Sequence, residues 1–264
     1  MNIPAALYTT NLSKAQGMVP ETLELLELWE PSMTAADLKA RVRSVGALGK
    51  ATQVRVDDLV GRGFAQRFLT NDGAPAKRMQ RLLHSRAPRG IMRQLILLYT
   101  CRANRILHDF IREVYWMKHA TGAGEVAKQD ARDFIEQAAS KGRLEQRWSE
   151  TMNERVTRYL LGTLVDFDLI AENRYGQRQI KPLFMLPETV NYLVHELHFQ
   201  GVPDQEIHRH EDWGIFGLTP ADVIAALNKC ATQNHLFIQH SGAILRIEWK
   251  YKHMDEVLDA IAHG

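Results

Sequence analysis

Apolar residues recur at helical spacing through most of the first half of the chain, and this periodicity limits the fold more than any other sequence feature. After Pro88, a stripe of apolar side chains follows one face of a long predicted helix that ends near Trp116. The stripe consists of Ile91, Leu95, Leu98, Ile106, Phe110 and Val114. A threonine followed three residues later by aspartate, as at Thr34, is typical of a helix start. The first half of the chain is therefore predicted to be helical.

Short extended runs interrupt the helices twice in the second half of the chain. Each pair of runs follows a predicted helix, the first capped by Ser149 and the second by Thr219. The runs are residues 169–173 and 178–184, joined by a Tyr175-Gly176-Gln177 turn, and residues 236–239 and 243–249, joined by a turn at Ser241 and Gly242. These patterns predict a mainly α fold with small β-hairpins, in which a helical N-terminal domain is followed by winged-helix-like domains.

Breaks in the helical pattern divide the chain into three predicted domains. The glycine-rich segment 121–124 ends the first, and Pro187 opens the third. We predict a helical, arginine-rich domain at 1–122, a winged-helix-like domain at 123–186, and an α+β domain with a second helix-and-hairpin unit at 187–264.

Charge is distributed unevenly along the chain, although the net charge of all 264 residues is only +2. Residues 61–120 contain 12 Lys/Arg and 3 Asp/Glu, whereas residues 187–264 contain 5 and 11. A block this rich in arginine indicates a polyanionic partner, and the alternative is that its arginines only cover solvated helix faces. The candidate phosphate-binding residues of this block are Arg78, Arg81, Arg86, Arg89 and Arg93.

The helix expected after Ser149 and the hairpin that follows it have the order of a winged helix, whose second helix enters the major groove of DNA. Outward-facing residues of this helix would contact DNA, and the hairpin tip would lie along the phosphates. These candidates are Asn153, Arg155, Thr157 and Arg158 on the helix, and Arg174, Arg178 and Lys181 on the hairpin. Glu150 and Glu154 would repel phosphates, so protein docking through the same unit stays an alternative.

Other kinds of chemistry have weaker signals. Cys101 and Cys230 are far apart and form no metal or disulfide pattern, and the N-terminus lacks the layout of a signal peptide. These features predict a cytoplasmic protein without a membrane anchor. Histidines between His195 and His210 could hold a metal, but bulky neighbours favour a packed core. No phosphate-binding loop or nucleophile elbow is present, so we predict no catalytic residue, no metal and no cofactor.

Several longer segments carry a family resemblance. They are LYTTNLSKAQGMVPETLELL, LYTCRANRILHDFIREVYW, LPETVNYLVHELHFQGV, HEDWGIFGLTPADVIAALNKC and FIQHSGAILRIEWKYKHMDEV. In this order they resemble BrxA, the small component of BREX bacteriophage-exclusion systems. The resemblance implies a non-enzymatic helical protein with winged-helix elements that binds double-stranded DNA and works with other BREX components, among them a methyltransferase and an ATPase. A suggested relationship of such proteins to the antitermination protein NusB would instead imply RNA binding.

Three hypotheses follow. The first is a DNA-binding accessory component of BREX defence, with cations before residue 120 and along the hairpin forming one surface for a phosphate chain. The second is an interaction scaffold that contacts no nucleic acid. The third is a metal-dependent hydrolase around residues 195–212. The sequence predicts no particular oligomeric state.

Overall fold

The computed structural model describes residues 7–49, 51–241 and 244–263. In the first 120 residues the α-helices are α1 (Val19–Leu28), α2 (Ala35–Val45), α3 (Gln53–Asp57), α4 (Ala65–Phe68), α5 (Ala74–Leu83), α6 (Arg89–Ala103), α7 (Arg105–Phe110) and α8 (Trp116–Ala120). Two π-helical stretches, Asp58–Phe64 and Ile111–Tyr115, join α3 to α4 and α7 to α8, and 3₁₀ turns occupy Asn11–Ser13 and Asn71–Gly73.

The remaining elements include both hairpins. They are α9 (Lys128–Ser140), α10 (Glu150–Asp166), β1 (Ile170–Glu172), β2 (Arg178–Ile180), α11 (Pro187–Phe199), α12 (Asp204–Ile207), a 3₁₀ helix (Glu211–Phe216), α13 (Pro220–Thr232), β3 (Leu236–Ser241), β4 (Ile244–Trp249) and α14 (Met254–His263). The predicted fold class, mainly α with small β-hairpins, is confirmed. No helix among the described residues has both the length and the apolar character needed to cross a membrane.

Local side-chain hydrogen bonds explain where several helices begin. The hydroxyl of Thr34 accepts a bond from the backbone N–H of Asp37 at 3.2 Å, and the Asp37 carboxylate accepts one from the backbone N–H of Thr34 at 2.9 Å. Thr219 and Asp222 form the same reciprocal pair before α13. Each pair satisfies two donors that a helix start otherwise leaves open. Both starts are therefore set by residues three positions apart, as the sequence predicts.

The long helix predicted after Pro88 is interrupted. It ends at Ala103, and Asn104 leaves the helical conformation with φ −134° and ψ 88°. The Asn104 side chain donates a hydrogen bond to the carbonyl of Thr100 at 2.9 Å. Asparagine competes in this way with the helical backbone for hydrogen bonds, which accounts for the break.

Both hairpins are antiparallel, with Ile170 opposite Ile180 in the first and Leu236 opposite Trp249 in the second. The second strand of the first hairpin is shorter than predicted. Gln94 of α6 accounts for this difference, because its side chain donates to the carbonyl of Phe184 at 2.8 Å and accepts from the backbone N–H of Leu186 at 3.0 Å. The predicted turn at Ser241 and Gly242 lies partly outside the described residues.

The structure groups the chain into two units by contacts. Among the described residues, the first unit contains residues 7–49, 51–77 and 96–182, and the second contains residues 78–95, 183–241 and 244–263. The division into three domains at residues 122 and 186 stays a prediction.

The first unit has an aromatic core. The ring of Phe134 lies 5.9 Å from that of Tyr8 and 5.3 Å from that of Phe110, measured between centroids. Arg67 is also buried here, and its guanidinium donates to the carbonyls of Ala15, Gln16 and Gly17. Part of the charge of the arginine-rich block therefore holds a backbone loop inside the unit.

The second unit packs around α11, whose residues from Thr189 to Leu197 are all buried. Helices α13 and α14 both contact α11. The indole N–H of Trp213 donates to the carbonyl of Ile207 at 2.7 Å, so this large side chain is buried with its donor satisfied.

Candidate nucleic-acid interface

The position of α10 in the first unit decides which of its side chains can reach a partner. Its start is fixed by Ser149, whose hydroxyl accepts a hydrogen bond from the backbone N–H of Met152 at 3.3 Å. One stripe of α10, containing Val156, Leu160 and Leu164, is buried. Arg155 and Arg158 are exposed to solvent, and their contact with a partner stays a prediction.

The opposite face of α10 is less accessible than predicted. Thr157 is fully buried, which contradicts its predicted outward orientation, and Leu161 is 2% exposed. The prediction assumed one buried stripe, but α10 packs against both α9 and the Asn11–Ser13 turn. The backbone N–H of Gly17 also donates to the Asp166 carboxylate of α10 at 3.1 Å. Neighbours on more than one side widen the buried face and enclose Thr157.

Asn153 is also only partly accessible. Its side-chain oxygen is buried and makes no hydrogen bond with the described residues. Asn153 stays a predicted contact.

A groove in the first unit brings three of the predicted residues together. Its volume is about 400 Å³, and its lining consists of Lys128, Thr151, Glu154, Arg155, Arg158, Leu161 and Arg178. Arg155 and Arg158 come from α10, and Arg178 begins β2. Four cationic side chains and one carboxylate therefore share one concave surface, which suits a polyanionic ligand.

Lys128 is a residue that the sequence reasoning missed. It begins α9 and reaches the groove because α9 packs along α10. A lysine at the start of a helix gave no local signal of function. Only a prediction that α9 and α10 pair, combined with their register, could have placed Lys128 beside α10.

Glu154 does not face the solvent as an isolated negative charge. Its carboxylate forms ion pairs with Lys128 at 2.7 Å and with Arg132. Hydrogen bonds from Lys128 and then from Arg132 hold the pKa of Glu154 below its ordinary value. The repulsion of phosphates that the sequence suggested for this residue is thus offset by two cations of α9.

The tip of the first hairpin has a defined shape and exposes an aromatic ring. The Asn173 side-chain oxygen accepts hydrogen bonds from the backbone N–H groups of Tyr175 at 2.9 Å and Gln177 at 3.1 Å. Tyr175 is 73% exposed, and the Arg174 guanidinium lies 4.7 Å from the centre of its ring. The turn therefore holds a cation and an aromatic ring together at the surface.

The other two predicted hairpin residues have internal partners. Arg178 pairs with Glu172 across the strands at 2.8 Å, and Lys181 pairs with Asp168. These are partly exposed pairs, in which each cation is partly neutralised by a neighbouring carboxylate.

The predicted arginines of residues 78–95 belong to the second unit and fall into two groups. Arg78 pairs at 2.7 Å with Glu196, whose side chain is 1% exposed, and Arg81 pairs with Asp255 and Asp259. Arg86, Arg89 and Arg93 are exposed. Arg78 and Arg81 therefore contribute to the structure of the second unit itself. A single surface joining this block to the hairpin stays a prediction.

A family model, BrxA, matches residues 6–196, which is more than half of the chain. The chain belongs to the BrxA family. Membership in the BrxA family suggests a component of BREX-associated phage defence. No curated protein matches the chain.

This member of the BrxA family also resembles a solved structure. The crystal structure of an uncharacterized protein from Magnetospirillum magneticum aligns with a TM-score of 0.57 and 15% identity, covering 74% of this chain and 95% of that one. This likeness supports the fold alone.

The histidines between His195 and His210, which the sequence offered as a possible metal site, belong to the second unit of this BrxA family member. His195 is fully buried, and one ring nitrogen lies 2.8 Å from the carbonyl of Asn191. Burial lowers the pKa of His195 to about 4. His198 stacks on Trp249 with ring centres 3.9 Å apart. Within the described ranges, no group of three His, Cys, Asp or Glu side chains is placed to hold a metal ion.

Proposed function

We propose that this BrxA family member is a non-enzymatic accessory component of a BREX-type defence system and binds double-stranded DNA mainly through phosphate contacts. The observation that carries the proposal is the groove lined by Lys128, Arg155, Arg158 and Arg178 with a single carboxylate, Glu154. Cations that neutralise phosphates release counterions from DNA, which favours binding regardless of sequence.

The order of elements around the groove supports a winged-helix mode of binding. Helices α9 and α10 and the hairpin β1–β2 follow one another, as the second helix and the wing do in such domains. In this proposal α10 lies against the DNA, and the tip of the first hairpin, with Arg174 and Tyr175, lies along the phosphates of the DNA backbone. Because Thr157 is buried and two of the exposed residues of α10 in the groove are arginines, we expect limited reading of bases.

A second candidate, a scaffold for other BREX components, is supported by a different observation. An apolar groove of about 330 Å³ in the second unit is lined by Leu183, Phe184, Met185, Val190 and Leu218, among others. Phe184 is 78% exposed. Exposed apolar patches of this kind are typical of protein-binding surfaces.

The experiment measures binding of unrelated DNA duplexes, and of an RNA duplex, by fluorescence anisotropy across a salt series. The test variant combines Arg155→Gln with Arg158→Gln. The matched control combines Arg43→Gln with Arg62→Gln, which removes the same charge from exposed side chains outside the groove. Loss of two phosphate contacts should lower the slope of log K against log salt by about 2.

Phage resistance of cells carrying each variant separates the two candidates. If the protein acts by binding DNA, the test variant should lose both its affinity for duplex DNA and its protection against phage, while the control variant keeps both. Retention of affinity at several hundred millimolar salt, or equal affinities of test and control variants, would contradict the electrostatic account. Protection by a test variant that no longer binds DNA would favour the scaffold.

A further inference from the structure

The carboxylate of Glu154 bridges two cations on the neighbouring helix. One oxygen lies 2.7 Å from the Lys128 ammonium, and the other pairs with the terminal guanidinium nitrogen of Arg132. The two cations are one helical turn apart on α9, and the carboxylate comes from α10. This is an anion held between two basic side chains, formed entirely within the first unit.

The two cations have capacity for an additional or different anion. The side chains of Lys128 and Arg132 are 50% and 39% exposed, so a ligand can reach them. The Nε–H of Arg132 is buried and has no hydrogen-bond partner among the described residues. A phosphate presents more acceptor oxygens than a carboxylate, so it can accept from the exposed donors of Lys128 and Arg132 together.

Glu154 can also leave this position. Its side chain is 33% exposed and borders the groove that Arg155 and Arg158 line. A released carboxylate can therefore reach solvent without a change in the backbone of α10. Partly exposed ion pairs of this kind contribute little to stability, so exchanging one anion for another costs little.

We propose that Lys128 and Arg132 form a phosphate subsite whose internal occupant is the carboxylate of Glu154, and that a phosphate of the nucleic-acid backbone displaces this carboxylate on binding. The inference rests on the proposed function and extends it, because it adds Arg132 to the binding residues and assigns Glu154 as a built-in competitor. Glu154 then weakens binding of every duplex by the same factor, since it competes with phosphate and not with bases.

The test compares Glu154→Gln with Glu150→Gln. Both variants remove one negative charge from the first turns of α10, and Glu150 does not line the groove. With a plain duplex at about 100 mM salt, we expect Glu154→Gln to bind about three- to ten-fold more tightly and to show a salt slope steeper by about one to two. We expect Glu150→Gln to remain within about two-fold of the unchanged protein.

A second comparison tests whether the gain in duplex affinity of Glu154→Gln depends on Lys128. Adding Lys128→Gln to Glu154→Gln should remove most of the gain and reduce the salt slope by about one. If Glu154→Gln binds no more tightly than Glu150→Gln, or binds more weakly, Glu154 positions the cations instead and the inference is overturned. Should Glu154→Gln fail to fold, Lys128→Gln alone carries the test, and an unchanged salt slope overturns the subsite.

Failure of the inference and failure of the proposed function give different results. If the unchanged protein binds duplex and only the predicted gain is missing, the subsite is wrong while DNA binding stands. If neither the unchanged protein nor Glu154→Gln binds any duplex, both proposals are overturned.

Discussion

Acidification should destabilise the second unit through His195. This side chain is fully buried, and burial lowers its pKa from 6.5 to about 4 in the folded protein. At pH values between these two pKa values, His195 is therefore protonated in the unfolded chain but not in the folded protein. The stability that depends on a neutral His195 is therefore present above a pH of about 6.5, and it is lost progressively as the pH falls towards 4. At a pH of about 5 the loss from this histidine alone amounts to about 2 kcal/mol.

The other contacts of His195 act in both directions on its pKa. The ring lies 5.2 Å from those of Trp249 and Tyr251, and hydrogen bonds with the backbone of Asn191 and His235 raise the pKa, but burial outweighs them. Coulombic repulsion from His198 and His235 contributes to the low pKa of His195. Burial also lowers the pKa of both neighbours, so they add to the loss of stability in acid.

Urea denaturation at pH values of about 7.5 and 5 measures this loss. His195→Gln cannot titrate, so its free energy of unfolding should fall by about 2 kcal/mol less than that of the unchanged protein between the two pH values. His240→Gln, at an exposed histidine, should retain the full loss. The reasoning is refuted if His195→Gln and the unchanged protein lose the same free energy on acidification.

Two further predictions follow from buried polar groups. Arg78→Met removes the arginine partner of the buried Glu196 carboxylate and should lower the free energy of unfolding by about 3 kcal/mol. In the same urea denaturation assay, adding Glu196→Gln should partly reverse this loss, because the buried charge is then removed as well. If Arg78→Met leaves stability unchanged, the internal role of Arg78 is wrong. Thr157→Val should change the free energy of unfolding by less than about 1 kcal/mol, because the buried hydroxyl has no hydrogen-bond partner among the described residues. The same variant should leave duplex affinity unchanged, and a clear loss of affinity would show that Thr157 reaches the ligand.

Local signals in the sequence predicted much of the fold. The starts of α2 and α13 depend on pairs three residues apart, Thr34 with Asp37 and Thr219 with Asp222, and both pairs form as predicted. The break at Asn104 was missed because the apolar stripe continues through it. A periodic pattern indicates a buried face but does not report a local change of backbone.

The candidate site could be predicted only in part, because its geometry depends on contacts between distant elements. Arg155, Arg158 and Arg178 were recognised by residue type and position. Lys128 was missed because only the packing of α9 on α10 brings it to the groove. The burial of Thr157 depends on a second neighbour of α10, which the periodicity of one helix does not reveal.

Arg78 could not have been assigned an internal role either. Its partner Glu196 follows 118 residues later, and no local pattern connects the two. The sequence shows an arginine in a basic block, whereas the structure shows a cation that neutralises a buried carboxylate.

The second unit takes its residues from two separated stretches of the chain, and this has a consequence during synthesis. Arg78 is translated 118 residues before Glu196, which at about 5–20 residues per second is an interval of about 6 to 24 s. Gln94 likewise precedes its partner Thr189 by 95 residues. The ribosome therefore releases the first stretch of this unit long before its packing partners exist, and the unit can close only after α14 has been translated. A fragment that begins at residue 187 would lack both Arg78 and Gln94.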